Sequence, residues 1–329
     1  MKVSKLAIIG LGSIGRRHLR LISELRPDIE VVVVRSGNGP YSKDEKLASK
    51  IFSSVSEAIK FGVEAAIISS PATFHLQQSI EFAKHGVHLF IEKPLSHSID
   101  GVEELLKAQK DHNIVAMVGY VLRYDIGARK FKEWLTDNKI GKILHARIEC
   151  GSYLPDWRPD QDYRKTVSAL SELGGGVLLE LSHEIDYLHW FFGKPINIQA
   201  QIINSMALDI NVEDQADLLI KSEQGYPILV QIDFNRRHVK RECSVITTEG
   251  EMTWNAVKKK VIWKPINSEE QEFDYTSKRD DKYKKQLKQF IECIENGAKP
   301  HVSIMDGIKT LKLIDAAREA SKNSTKVFL

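Results

Sequence analysis

Six residues near the start of the chain, Gly10-Leu11-Gly12-Ser13-Ile14-Gly15, restrict the fold more than any other part of the sequence. An apolar run over residues 6–10 leads into them. An amphipathic stretch follows, in which Ile14, His18, Leu21, Ile22 and Leu25 fall on one helical face. Glycines at this spacing, between a strand and a helix, form a dinucleotide-binding turn. Gly10 permits the tight turn and Gly12 lets the backbone approach a pyrophosphate. Gly15 lets the helix pack closely, and the helix N-terminus at Ser13 and Ile14 faces the anion.

Further short apolar runs at 31–34, 65–69, 88–92 and 115–118 alternate with amphipathic stretches, one of them carrying Ile99, Val102, Leu105 and Leu106. That alternation specifies an α/β fold with a doubly wound parallel sheet covered on both faces, a Rossmann domain. The pattern changes after Tyr120. A helix is expected over 124–138, a polar aromatic loop over 152–167, and a glycine-led helix running to Phe192. Strand-like segments follow at 197–204, 216–221, 228–235 and 242–248. In the third, Val230, Ile232 and Phe234 alternate with Gln231, Asp233 and Asn235, the mark of a sheet with one buried face. A C-terminal α/β domain with a large open, mostly antiparallel sheet is therefore expected. Its open face is the expected contact for a homodimer or homotetramer. Tyr283, Leu287, Phe290, Ile291 and Ile294 mark a further helix with Gly297 as its stop, and Ser303 with Asp306 has capping-box spacing.

A chain of 329 residues exceeds one ordinary domain. We divide it into a dinucleotide-binding domain, 1–121, and a substrate-binding and oligomerisation domain, 122–329, with the terminal helix 303–321 returning to the first. A net charge of +3 is too small to argue for nucleic acid. Cys150, Cys243 and Cys293 match no metal or redox spacing and read as reduced thiols of a cytoplasmic protein. No apolar run approaches membrane-spanning length, and residues 6–10 are too few for a signal peptide.

About twenty residues beyond the glycine turn stands the position that reads the adenosine ribose. Here it is Arg35, followed by Ser36. An arginine there attracts a 2′-phosphate, so NADP(H) is expected over NAD(H). In the alternative, Arg35 stacks on adenine or faces solvent and NAD(H) is accepted. Glu92-Lys93-Pro94 follows an apolar strand at the carboxyl edge of the sheet, where a lysine can place its ammonium beside a substrate hydroxyl or carbonyl. After Gly174-Gly175-Gly176, Glu180 and His183 are three apart and are expected on one helical face, a carboxylate and an imidazole suited to general-base work. His183-Glu184 begins a zinc-protease pattern, but Tyr187 stands where the second histidine belongs, and no metal is expected.

Together these motifs resemble the Gfo/Idh/MocA family, named for glucose–fructose oxidoreductase and inositol dehydrogenase. The resemblance also takes in Ser70-Pro71 with His75, Arg123, Ile140-Gly141-Lys142 and the last helix. It implies an NAD(P)-dependent oxidoreductase that moves a hydride between nicotinamide and a carbinol or carbonyl carbon of a sugar or sugar nucleotide. It places Lys93 and His183 beside the substrate, His183 as acid/base and Glu180 as supporting acid. Ser70, Pro71, His75 and Glu92 with Lys93 fall near the cofactor, and Arg123 near the substrate. Two positions depart from the family pattern. An aspartate four before the histidine is usual, whereas Glu180 is three before it, and Asp186 is a second candidate for its role. Ala72 stands where an asparagine often follows the proline.

Substrate selection is assigned to residues 153–164. Tyr153, Trp157 and Tyr163 offer flat faces for a ring, and Arg158 and Arg164 suit a phosphate or carboxylate. The segment resembles that of members associated with surface polysaccharides and nucleotide sugars. The other reading is an aromatic loop packed for structure. Arg236-Arg237-His238 with Lys240-Arg241 reads as a solvated sheet rim rather than a nucleic-acid patch. A non-catalytic dinucleotide-binding sensor and a glycoside-cleaving enzyme using the cofactor transiently remain as competitors, because fold alone does not set function.

Overall fold

The computed structural model describes residues 2–37 and 41–329. The chain forms two compact units, Met1–Val121 with Arg279–Leu311, and Leu122–Lys278 with Lys312–Leu329. In the first, β1 (Lys5–Ile9) is followed by α1 (Ser13–Leu25), β2 (Glu30–Val34), β3 (Lys50–Phe52), α2 (Val55–Lys60), β4 (Ala65–Ile68), α3 (Ala72–Ala83), β5 (His88–Ile91), α4 (Val102–Asp111) and β6 (Ala116–Val118). Among the described residues these six strands form one parallel sheet, ordered β3-β2-β1-β4-β5-β6. The order reverses between β1 and β4, the switch point where such sheets open a crevice at their carboxyl ends.

Leu6, Ala7 and Ile8 of β1 and Ala65 to Ile68 of β4 are fully buried, as expected of strands covered on both faces. In this parallel sheet the strand missing from the sequence reading is β3. It is a three-residue edge strand whose Lys50 and Ile51 are exposed, so it offers no buried run to detect.

The second unit begins with α5 (Ile126–Leu135) and β7 (Ile143–Gly151), then α6 (Val177–Glu180) and α7 (Ser182–Phe192). A run of strands completes its sheet: β8 (Pro195–Ile203), β9 (Gln215–Ser222), β10 (Pro227–Asp233), β11 (Lys240–Thr247), β12 (Gly250–Asn255), β13 (Lys260–Pro265), β14 (Gln271–Asp274) and β15 (Val327–Phe328). The order is β14-β13-β12-β11-β7-β10-β9-β8-β15. Every described pairing is antiparallel except β7 with β10. Ile228, Val230 and Ile232 of β10 are buried and Leu229 lies on the open face, the period-two pattern read from the sequence. Asp233 is the exception on that strand: it is buried because it accepts the N–H groups of Asn235 and Arg236.

The remaining helices are α8 (Asp281–Asn296) and α9 (Ile304–Asn323). Gly297 ends α8 at φ +72°, a left-handed position that glycine occupies without strain. The Ser303 hydroxyl and the Asp306 carboxylate cap α9 reciprocally, each accepting the other's backbone N–H. The segment 279–311 goes with the first unit, so the terminal helix expected to return there whole is divided, its residues from Lys312 onward falling in the second unit. Among the described residues no helix is long and apolar enough to cross a membrane, and Cys150, Cys243 and Cys293 are free and buried.

Candidate functional site

At the switch point, contacts set the turn after β1. Gly10 has φ +85°, and a Cβ there would lie 2.9 Å from the Ser70 backbone. A Cβ on Gly15 would meet the Gly10 carbonyl oxygen at 2.0 Å, whereas one on Gly12 would meet nothing within 4 Å. Gly10 and Gly15 are thus demanded by packing, and Gly12 faces open space on the side a ligand approaches. The Ser69 hydroxyl fastens the turn to β4 by donating to the Ile9 and Gly10 carbonyls at 2.8 and 3.0 Å. Gly12 caps α1 with no side-chain hydrogen bond, and no acid occupies the first turn. The free N–H groups at Ser13 and Ile14 therefore suit a pyrophosphate. Gly15→Val drives a branched side chain into the Gly10 carbonyl. It is expected to abolish NADH binding in a fluorescence titration and to lower stability by about 1–3 kcal/mol.

Arg35 and Ser36 follow β2, and with Tyr41 and Phe52 they line a depression of about 460 Å³. The Arg35 guanidinium pairs with Glu45, whose side chain is only 5% exposed and which also accepts the Ser42 N–H. Glu45 was not singled out from the sequence. Its signal was a Ser-x-x-Glu capping box at Ser42, a pattern read only near the C-terminus.

Two residues expected at the cofactor turn inward instead. Glu92 is 7% exposed: one carboxylate oxygen lies 2.6 Å from His18 Nε2, and the other accepts the Lys93 N–H at 3.2 Å. His75 is 2% exposed, with its ring nitrogens 2.8 Å from the Pro94 and Ser70 carbonyl oxygens. It braces one turn against the next rather than reaching for a ligand. Burial pushes its pKa below the ordinary histidine value, against the opposing pull of the two carbonyls. Ser70 donates its hydroxyl to Gln78, and Pro71 immediately precedes α3. Lys93 is half-buried, beside a cis bond to Pro94.

In the second unit the glycine-led helix is broken. Leu181 has φ −97° and ψ 27°, so Glu180 ends α6 while His183 lies in the first turn of α7. The shared helical face expected of the pair is corrected accordingly. The Asp186 carboxylate forms a two-pronged bond with Arg123 at 2.8 and 2.9 Å. The two side chains are 8% and 1% exposed, and the Arg123 guanidinium also lies over Trp190. The Arg123 fork expected at the substrate is thus engaged within the unit. Glu184 is fully buried and accepts from Arg241 Nε at 2.8 Å. Arg241 therefore leaves the solvated rim to which its basic run assigned it. The other basic residues fit that reading: Arg236 pairs with Asp233, and Lys240 with Glu149.

The aromatic loop is partly structural. Trp157 donates to the Ser152 hydroxyl at 2.7 Å and packs edge-on to Phe234. Tyr163 donates to the Leu208 carbonyl, Tyr153 lies under the Arg237 guanidinium, and Arg164 pairs with Asp162 and Asp209. Arg158 is half-buried, and its guanidinium carries no hydrogen bond or ion pair among the described residues. Glu213 was not foreseen. Its carboxylate occupies the space a Cβ on Gly176 would fill and accepts the Leu178 N–H at 3.4 Å, and burial raises its pKa.

Residues 4–120 match the family profile described as oxidoreductase family, NAD-binding Rossmann fold, and residues 132–329 match its C-terminal alpha/beta domain. The chain belongs to the Gfo/Idh/MocA oxidoreductase family. Among its relatives is the myo-inositol 2-dehydrogenase of Thermotoga maritima, 25% identical over 344 residues, covering 99% of this chain and 98% of that protein. A 2,7-anhydro-N-acetylneuraminate hydratase of Mediterraneibacter gnavus is 29% identical over 200 residues, covering 59% of this chain and 50% of that protein. A levoglucosan dehydrogenase in complex with NADH and levoglucosan superposes with a TM-score of 0.88 at 18% identity, covering 99% of each chain. The WlbA dehydrogenase from Bordetella pertussis, in complex with NADH and UDP-GlcNAcA, gives 0.84 at 18% identity, covering 100% of this chain and 99% of that one. At these identities the two solved structures show a shared fold.

Proposed function

We propose that this oxidoreductase is an NAD(P)-dependent dehydrogenase or reductase of a sugar or sugar nucleotide, with Lys93 and His183 acting on the substrate and Glu180 supporting the imidazole. One observation carries the reading: a continuous set of contacts ties the lysine turn to the glycine turn. Gly10 packs on Ser70, and the His75 ring lies between the Ser70 and Pro94 carbonyls, with a nitrogen 2.8 Å from each. Lys93 is thereby held in register with the turn that receives the dinucleotide. When bound, the nicotinamide accepts or supplies the hydride. The Lys93 ammonium donates to the substrate oxygen and stabilises charge developing on it, and His183 takes or returns the hydroxyl proton. The relatives named as inositol dehydrogenases support a polyol or sugar substrate. The uncommitted Arg158 fits a substrate bearing a phosphate or carboxylate.

NADP(H) is proposed over NAD(H) because Arg35 stands at the ribose-reading position, with Glu45 fixing its fork. Parallel fluorescence titrations with NADH and NADPH test this. NADPH is expected to bind about tenfold or more tightly, the advantage disappearing in Arg35→Ala. Equal or tighter binding of NADH overturns the NADP preference, and binding of neither overturns the enzyme assignment.

The hydratase relative favours a second reading, in which the cofactor is oxidised and reduced within one turnover, since adding water involves no net oxidation. Net NAD(P)H accumulation with a substrate excludes it. Exposed Leu219 and Leu229, cross-strand neighbours on β9 and β10, support a homodimer or homotetramer through the open sheet face. Three buried free thiols support a cytoplasmic setting.

A further inference from the structure

We infer that His18 is a positioning residue for Lys93, acting through Glu92 and linking the helix that opens at the glycine turn to the lysine turn. His18 lies on α1, five residues beyond Ser13 and so about 7.5 Å down the helix from its first turn. Its side chain is fully buried, with the ring edge-on to Phe90 at 5.2 Å and to Tyr283 at 6.3 Å. These two rings flank the imidazole, and its Nε2 lies 2.6 Å from the Glu92 carboxylate. With that carboxylate ionised, Nε2–H is the donor. The second Glu92 oxygen accepts the Lys93 backbone N–H, and Gly119 leaves room for the carboxylate: a Cβ there would lie 3.0 Å from it. Glu92 is therefore fixed at both oxygens, one by α1 and one by the residue it precedes.

A buried carboxylate that loses its donor carries the full cost of desolvation, so it turns towards another one. The nearest strong donor in sequence is the Lys93 ammonium. His18 thus controls the electrostatic surroundings of Lys93 without touching any ligand. The same geometry makes α1 a shared support, with the anion-facing N–H groups at its start and the grip on Glu92 one and a half turns later. The idea rests on the catalytic reading of Lys93, but its test requires no sugar.

The test is the rate of acetylation of Lys93 by acetic anhydride in NADH-saturated protein, read by mass spectrometry against exposed Lys107. His18→Leu is expected to change the Lys93-to-Lys107 ratio by about threefold or more, the effect of one modest hydrogen bond. His18→Gln, whose amide can still donate to Glu92, is expected to stay near wild type. NADH affinity is expected to stay within about twofold in both, because the N–H groups of the first turn are intact. Should His18→Leu fail to fold, His18→Asn, whose amide falls short of Glu92, replaces it. An unchanged ratio in folded His18→Leu or His18→Asn overturns the inference, as does an equal change in His18→Gln. Absence of sugar turnover would count against the dehydrogenase reading alone.

Discussion

Replacing His183 by alanine is expected to lower kcat by about 100- to 10,000-fold, the range of a positioned general acid/base. The substrate would be one found by screening inositols and UDP-sugars. Because a proton-transfer role operates in the transition state, kcat and kcat/KM should fall together. NADH affinity should hold, because the glycine turn belongs to the other unit. The fold should hold too. Two ion pairs on the same helix, Asp186 with Arg123 and Glu184 with Arg241, anchor α7 without using the imidazole. Turnover within about threefold of wild type would remove His183 from the reaction and leave the proton transfer to another group. Lys93→Met provides the companion measurement, with an expected loss of about 100- to 1,000-fold, the scale for removing one donor to a developing oxyanion.

Arg123→Met is expected to cost about 3–5 kcal/mol of folding stability, read as a shift of the urea midpoint, because it strands the buried Asp186 carboxylate. Arg123→Met with Asp186→Leu should recover much of that loss, since a buried ion pair replaced by apolar side chains of similar size is often neutral. A raised KM with an unchanged midpoint would return Arg123 to the substrate-binding role that the sequence suggested.

That reversal shows where sequence reading loses resolution. The glycine turn was legible because its chemistry is local: three glycines, a preceding strand and a following helix lie within a few residues. The positions of Lys93 after β5 and His183 at the start of α7 were legible for similar reasons, each marked by a short motif at an element boundary. The partners of the charged groups were not. Arg123 finds Asp186 across 63 positions, Arg241 finds Glu184 across 57, and His18 finds Glu92 across 74. No spacing rule reaches that far, so buried ion pairs were read as binding groups or solvent-facing charge. The break at Leu181 was hidden because nothing between Val177 and Phe192 is a helix breaker. Strand β7 could have been found: Ala146, Ile148 and Cys150 alternate with Arg147 and Glu149, although the small buried residues weaken the pattern.

The division of the chain also governs the order in which it can mature on the ribosome. The first unit draws residues from both ends of the sequence, with α8 and the start of α9 supplied by Arg279–Leu311. Phe290 from that late segment packs on Phe90 at 5.8 Å, and Tyr283 packs on His18. The six strands therefore emerge long before the helices that cover part of their core. Until α8 is made, Phe90 lacks its Phe290 neighbour and the ring of His18 lacks one of its walls. Contacts separated by some two hundred residues close slowly and leave apolar surface accessible in the meantime. A nascent chain that stops before α8 thus leaves the Phe90 side of the parallel sheet without its Phe290 cover, although the glycine turn itself is built from earlier residues.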